Sequence, residues 1–207
     1  MLCLNAVEPE TLELLRRIQS LPFFAGTRLV GGTALALQIG HRLSVDLDIF
    51  GHWDLDRSLA DELAKCGHVI REGGQNRLQF FKVDGVKVDC VTYDYPWLDP
   101  PIEVMGVRLA TIPDIAAMKI NAITNPGTRK DFVDIAFILE RFSMRQIFNW
   151  FSQKYKDVNP AMAWRSIVYF MDAEEMPMPR MLVPFDWDDA KRRILSAVRE
   201  IDQSEGL

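Results

Sequence analysis

The run Val45-Asp46-Leu47-Asp48-Ile49 sets two carboxylates one residue apart in an otherwise apolar stretch. On an extended chain, alternation turns Val45, Leu47 and Ile49 to one face and Asp46 and Asp48 to the other, with the two aspartate Cα atoms about 6.6 Å apart. Carboxylates this close repel, and an uncompensated charge beside a core is costly, so the pair calls for a cation. Two divalent ions about 3.5–4 Å apart suit the spacing and would bring two-metal chemistry. A third carboxylate is available in "GVKVDCVTY", where Val86, Val88 and Cys90 alternate with Lys87, Asp89 and Val91. Asp89 therefore leaves the apolar face of its own strand and is expected to complete the set, as a ligand of the ion that activates an attacking hydroxyl or as the base that takes its proton.

Upstream, Gly31, Gly32 and Thr33 open the helical run "TALALQIG". That helix advances about 12 Å, and about four extended residues from Arg42 return a similar distance, which brings the aspartates back beside the glycines. Glycines admit a phosphate close to the backbone, and the following helix start offers free N–H groups and a positive dipole end. Cations beside a phosphate cradle point to a nucleoside triphosphate.

The elements that would position these residues follow from periodicity. "EPETLELLRRIQ" reads as a first helix, "TRLVGG" as a short strand, "LSVDLDIF" as a strand in strict alternation, and "DRSLADELAKCG" as a further helix. "HVIREG", "RLQFFKV" and "VKVDCVTY" read as consecutive antiparallel strands, joined by "GGQN" and by a hairpin with Asp84-Gly85 at its tip; "IEVMGVRLA" adds a small hairpin around Gly106. Beyond residue 111 the pattern turns helical, broken by a loop that contains Pro177, Pro179 and Pro184. The division expected is a core over 1–110 and a helical region over 111–207.

Composition narrows the class. With 48% hydrophobic and 26% charged residues the chain is expected to fold by itself, and its net charge of −5 opposes broad non-specific nucleic-acid binding, so any polyanion must be held locally. No apolar run is long enough for a membrane span and no signal-like leader is recognisable, which gives a cytoplasmic expectation without a membrane partner. Cys3, Cys66 and Cys90 are odd in number and far apart, as suits reduced structural thiols.

The Gly-Gly-Thr turn, "HRLSVDLDIF", Asp89 on a later strand, "MKINAI" and "RKDFVDIAFIL", in that order, resemble the AbiEii/AbiGii-type nucleotidyltransferase family, toxins of bacterial abortive-infection and toxin–antitoxin systems. The resemblance spans about residues 25–140. It implies an α+β fold of the polymerase-β-like type, a small mixed β-sheet flanked by helices with a helical C-terminal region. It implies that the catalytic residues Asp46, Asp48 and Asp89 hold Mg²⁺ or Mn²⁺ and that Gly31, Gly32 and Thr33 line the triphosphate. Lys119 and Asp131 match the family's downstream lysine and aspartate, with Arg42, Ser44, Arg129, Lys130 and Asp134 close by. Lys119 is suited to neutralising phosphate charge and Arg42 to a bidentate contact. Many relatives in the family carry a longer helical C-terminal region.

The function so implied is transfer of a nucleoside monophosphate from an NTP to a hydroxyl acceptor, tRNA or another RNA end, in a protein with a cognate antitoxin. The alternative is a non-catalytic module that senses nucleotide or binds a protein, and magnesium-dependent incorporation of labelled nucleotide separates the two. Plainer roles stand beside these: Lys119 as the polar edge of a buried helix, Arg42 and Ser44 as caps of a helix–strand turn, and Arg129 to Asp134 as a charged helix start. His41, His52 and His68 read as partly exposed bystanders, and Trp150, Phe151, Trp164 and Tyr169 as helical core. If Lys119 serves only the nucleotide, Lys119→Ala raises KM for NTP and leaves the fold intact.

Overall fold

The computed structural model describes residues 2–53 and 58–204. The chain divides into two compact units, Met1–Tyr95 with Pro100–Thr111, and Pro96–Asp99 with Ile112–Leu207. The excursion of Pro96–Asp99 into the helical unit is a feature that the linear division 1–110 and 111–207 does not contain.

The first unit runs α1 (Pro9–Ser20), β1 (Arg28–Leu29), α2 (Gly31–Ile39), β2 (Leu47–Gly51), α3 (Ser58–Ala64), β3 (Val69–Gln75), β4 (Leu78–Val83), β5 (Val86–Thr92), β6 (Ile102–Val104) and β7 (Val107–Leu109). The expected helix from Asp56 appears as α3, with Asp56 and Arg57 outside the described residues. The strands form one mixed sheet in the order β3-β4-β5-β2-β1-β7-β6, parallel where β2 meets β5 and β1 meets β7. The antiparallel β3–β4–β5 meander and the β6–β7 hairpin follow the expected turns at Asp84-Gly85 and Met105-Gly106. Alternation decides the faces. Leu47, Ile49, Phe81, Val83, Val88 and Cys90 are fully buried on one side, each worth about 1.5–3 kcal/mol of burial for the larger side chains. The partners between them, Asp48, Phe50, Lys87, Asp89 and Val91, take the other side.

Two strand boundaries differ from expectation. β3 continues through Gly73-Gly74-Gln75, and the turn falls at Asn76-Arg77. At Gly74 a Cβ would run into the Leu78 backbone of the partner strand, so glycine there serves close pairing, and a bulge between Arg71 and Gly73 keeps register. β2 begins only at Leu47, because the preceding backbone is held by other partners: Ser44 N–H donates to the Ala6 carbonyl at 2.9 Å, and Thr33 donates to the Asp46 carbonyl. Val45, assigned to the core face by alternation, is 49% exposed as a result.

The second unit comprises α4 (Ile112–Ile123), α5 (Arg129–Ile138), α6 (Met144–Lys154), α7 (Pro160–Ile167), α8 (Met171–Glu174) and α9 (Trp187–Ser204). Helix α4 packs on α5, α6 and α7, and α9 packs on α5 and α6. Buried charge explains why Pro96–Asp99 joins this unit. Lys154 Nζ donates to Asp114 Oδ1 at 2.6 Å and to the Pro96 carbonyl at 2.7 Å, and it lies 4.7 Å from the centre of the Trp97 ring. Leu98 N–H completes the knot by donating to Asp114 Oδ1 at 3.1 Å. Phe151 is core as expected and Trp164 stacks on Phe148 at 3.7 Å, whereas Tyr169 lies past the end of α7 and is exposed. No helix among the described residues is long and apolar enough to cross a membrane. The three cysteines are free thiols.

Candidate active site

Strands β2 and β5 run parallel with Asp48 opposite Asp89, so two carboxylates from distant parts of the sequence stand in register on the face away from the core. The chain reaches this arrangement by sending α3, β3 and β4 between the two strands, so that β5 returns to the free edge of β2. Asp89 is only 9% exposed. Its Oδ2 accepts from Lys87 Nζ at 2.8 Å, while its Oδ1 is buried without a hydrogen-bond partner. Asp46 lies just ahead of β2 and is half-buried.

The glycine turn is built against the same aspartates. Val30 N–H donates to the Asp48 carbonyl at 2.9 Å, which fixes the start of α2 beside β2. Gly31 has a left-handed φ of 66°, and a Cβ there would fall inside the Asp48 carboxylate. A Cβ on Gly32 would likewise collide with the guanidinium of Arg42, itself only 3% exposed and bonded through Nη1 to the Leu43 carbonyl at 3.2 Å. The two glycines thus seat Asp48 and Arg42 as well as leaving backbone open. Thr33 and Ser44 sit beneath them. Thr33 is buried, its Oγ1 lies 2.8 Å from Ser44 Oγ, and it anchors the Asp46 carbonyl, so both hydroxyls support the loop that carries the first aspartate. His41 is 1% exposed, so it is buried and not partly exposed as expected.

Lys87 is the residue that the sequence reading passed over. It shares a strand face with Asp89 at the i, i+2 spacing, and that spacing was the available signal. Burial disfavours its charge, but the hydrogen bond and charge of Asp89, joined by Asp46 and Asp48, outweigh it and raise the ammonium above the ordinary lysine range. One amine therefore senses all three carboxylates. Behind the face, burial pushes the Cys90 thiol up, as suits an inert core residue.

In the second unit, Lys119 is nearly buried between two carboxylates, 2.7 Å from Asp131 Oδ1 and 2.8 Å from Asp134 Oδ2. Asp131 also closes the start of α5, where its Oδ2 accepts from the N–H and hydroxyl of Thr128 at 2.9 and 2.7 Å. Burial opposes the charge of Asp131, but Lys119 and Thr128 hold its carboxyl below the usual range. Arg129 is committed elsewhere, donating to the Ala173 carbonyl at 2.8 Å and lying over the Trp187 ring.

The residues fit a hard divalent cation. A buried carboxylate oxygen without a partner, beside a second carboxylate in register, is an oxygen donor set of the type that Mg²⁺ and Mn²⁺ prefer. Among the described residues no three His, Cys, Asp or Glu side chains converge into a ready cage. Magnesium commonly binds through one or two carboxylates with substrate phosphates and water, so a pair suffices to begin a site.

Comparison with known proteins gives a consistent picture. A family model described as the nucleotidyl transferase AbiEii toxin of type IV toxin–antitoxin systems matches residues 13–205. An uncharacterized protein of Aquifex aeolicus is 30% identical over 179 residues, 83% of this chain and 87% of its own length. Among solved structures, JHP933 from Helicobacter pylori superposes with a TM-score of 0.62 at 16% identity, covering 98% of this chain and 92% of its own. The MenT4 nucleotidyltransferase toxin from Mycobacterium tuberculosis superposes with a TM-score of 0.62 at 14% identity, covering 92% and 84%. At these identities the structural matches establish the fold.

Proposed function

The chain belongs to the nucleotidyl transferase AbiEii toxin family, and from that membership we propose that it moves a nucleoside monophosphate from an NTP to a hydroxyl of an RNA acceptor, tRNA among the candidates, using the sheet face at Asp46, Asp48 and Asp89. The observation that carries the reading is the register of Asp48 with Asp89 beside a glycine turn shaped around the Asp48 carboxylate. Mg²⁺ or Mn²⁺ held at this face would supply charge neutralisation at the α-phosphate and a lowered pKa for the attacking hydroxyl.

The protein's own residues do the rest. Asp48 and Asp89 would hold the cation, with Asp46 joining from the loop that Thr33 and Ser44 brace. Backbone N–H groups at Gly31 and Gly32 meet the β- and γ-phosphates, which leave as pyrophosphate, and the buried Arg42 guanidinium stabilises that leaving charge. The acceptor oxygen forms its bond to the α-phosphorus as the bond to the bridging oxygen of pyrophosphate breaks, and the hydroxyl proton passes to Asp89 or through it to solvent. For Lys119 and Asp131 a contact with the nucleotide rests on family resemblance. The family also suggests a cognate antitoxin as the protein's regulator.

The test is incubation of the protein with each labelled NTP, Mg²⁺ and total RNA, with Asp89→Asn alongside. Wild type is expected to label RNA with one preferred nucleotide. The variant should bind NTP yet transfer at least about 10²–10⁴-fold more slowly, the usual cost of losing a positioned base. Absence of label on any RNA by wild type, with NTP binding intact, would replace the enzyme with a nucleotide-sensing module.

A further inference from the structure

The sheet face around Asp89 carries a cation of the protein's own. Lys87 Nζ lies 2.8 Å from Asp89 Oδ2, on a side chain that is 42% exposed, and it stands 5.9 Å from the centre of the Phe80 ring. Asp89 itself is 9% exposed and its Oδ1 has no hydrogen-bond partner. One oxygen of a buried carboxylate is therefore neutralised by a half-exposed amine, while the other is left without a donor on a residue in register with Asp48. A wholly structural ion pair would satisfy both oxygens, because an orphaned buried acceptor costs free energy that a second donor would recover.

The geometry points to Lys87 as a resident counter-ion of the carboxylate site, which a divalent ion displaces when it binds to Asp48 and Asp89. This rests on reading those carboxylates as the ion site. Without the ion, the unit positive charge of Lys87 relieves part of the repulsion among Asp46, Asp48 and Asp89. On binding, a doubly charged ion takes over Asp89, and the flexible lysine stem carries the ammonium out to water. The exchange weakens intrinsic ion affinity by competition, so that tight occupancy depends on the oxygens a triphosphate brings with it. Lys82 gives an internal comparison. It pairs in register with Lys87 on the same face, yet its ammonium is bound to Glu72 at 2.5 Å.

The experiment is calorimetric titration of the full chain with Mn²⁺ alone, for wild type, Lys87→Met, Lys87→Arg, Lys82→Met and Asp48→Asn, with acetylation of Lys87 followed by mass spectrometry. Methionine keeps the aliphatic stem on the sheet, and a thermal melt of each variant checks that it is folded before titration. Lys87→Met should bind Mn²⁺ at least about tenfold more tightly, since a unit charge a few ångströms from an ion is strongly felt in a protein. Lys87→Arg and Lys82→Met should stay near wild type, and Lys87 should acetylate faster with Mn²⁺ than without. Equal or weaker binding by Lys87→Met, with binding lost in Asp48→Asn, would overturn displacement and leave the ion site standing. Equal tightening by Lys82→Met would overturn it in favour of diffuse surface charge. No Mn²⁺ binding by wild type or by Lys87→Met would remove the ion site and the proposal together.

Discussion

Lys119 shows how a single residue's surroundings change what a substitution does. Read as a phosphate ligand, it should tolerate alanine, but in the structure it neutralises Asp131 and the fully buried Asp134 at once. Taking one partner from a buried charge pair typically costs about 3–5 kcal/mol, because the remaining charge is left in a poor dielectric. Lys119→Ala is therefore expected to lose a large part of the stability of the helical unit before any effect on KM is measurable, and Lys119→Ala/Asp134→Asn should recover part of it. Urea unfolding of the single and double variants checks this. A single variant as stable as wild type would return Lys119 to a role toward the nucleotide alone. Thr33 and Ser44 carry the same lesson, since hydroxyls expected beside a triphosphate are engaged in holding the Asp46 loop.

At the scale of the element, the start of α5 couples charge to helix formation. Asp131 accepts from Thr128 at the helix N-terminus and from Lys119, and its carboxyl is held below the ordinary range. A depressed folded-state pKa contributes stability that is complete above the unfolded value of about 3.9 and disappears as pH falls through the lower folded value. Asp131→Asn should thus be less stable than wild type at neutral pH, and the gap should narrow as the solution is acidified across that window. Thermal melts from pH 7 downward read the difference directly. A gap that stayed constant with pH would mean that the carboxylate stabilises through shape and not charge. The charged helix start was legible from Arg129 onward, whereas the Thr128 cap and the partner across from it, Lys119 of the preceding helix, emerge only in the structure.

For the whole molecule, the net charge of −5 limits how a polyanion is held. The cations close to the sheet-face site are largely spoken for, with Lys87 on Asp89, Lys82 on Glu72 and Arg77 on Asp94. The basic segment Lys191 to Arg193 is also paired, Lys191 with Glu174 at 2.6 Å and Arg193 with Glu140 at 2.5 Å. If the proposed RNA acceptor is held through about three phosphate contacts, the log–log salt slope should be near −2, from about 0.7 counterion per contact on a single strand. Fluorescence binding of RNA across a potassium chloride series checks this, and a slope steeper than about −5 would reveal a broad basic surface instead.

What the sequence determined by itself was the content of local geometry. Alternation placed Asp48 and Asp89 on polar strand faces, glycine and threonine types marked the start of α2, and the two hairpins announced themselves by their tips. Those signals act over a few residues, where backbone dihedrals and side-chain direction are set by near neighbours. Only the tertiary structure decided that β5 lies parallel to β2 with Asp48 opposite Asp89, that Thr33 reaches the Asp46 carbonyl, and that Lys154 draws Pro96–Asp99 out of the sheet unit. Each joins residues far apart in sequence through complementary buried faces or through a charge that must find a partner once water is removed. The identity of that partner depends on the packing of the whole chain, and a linear pattern does not contain it.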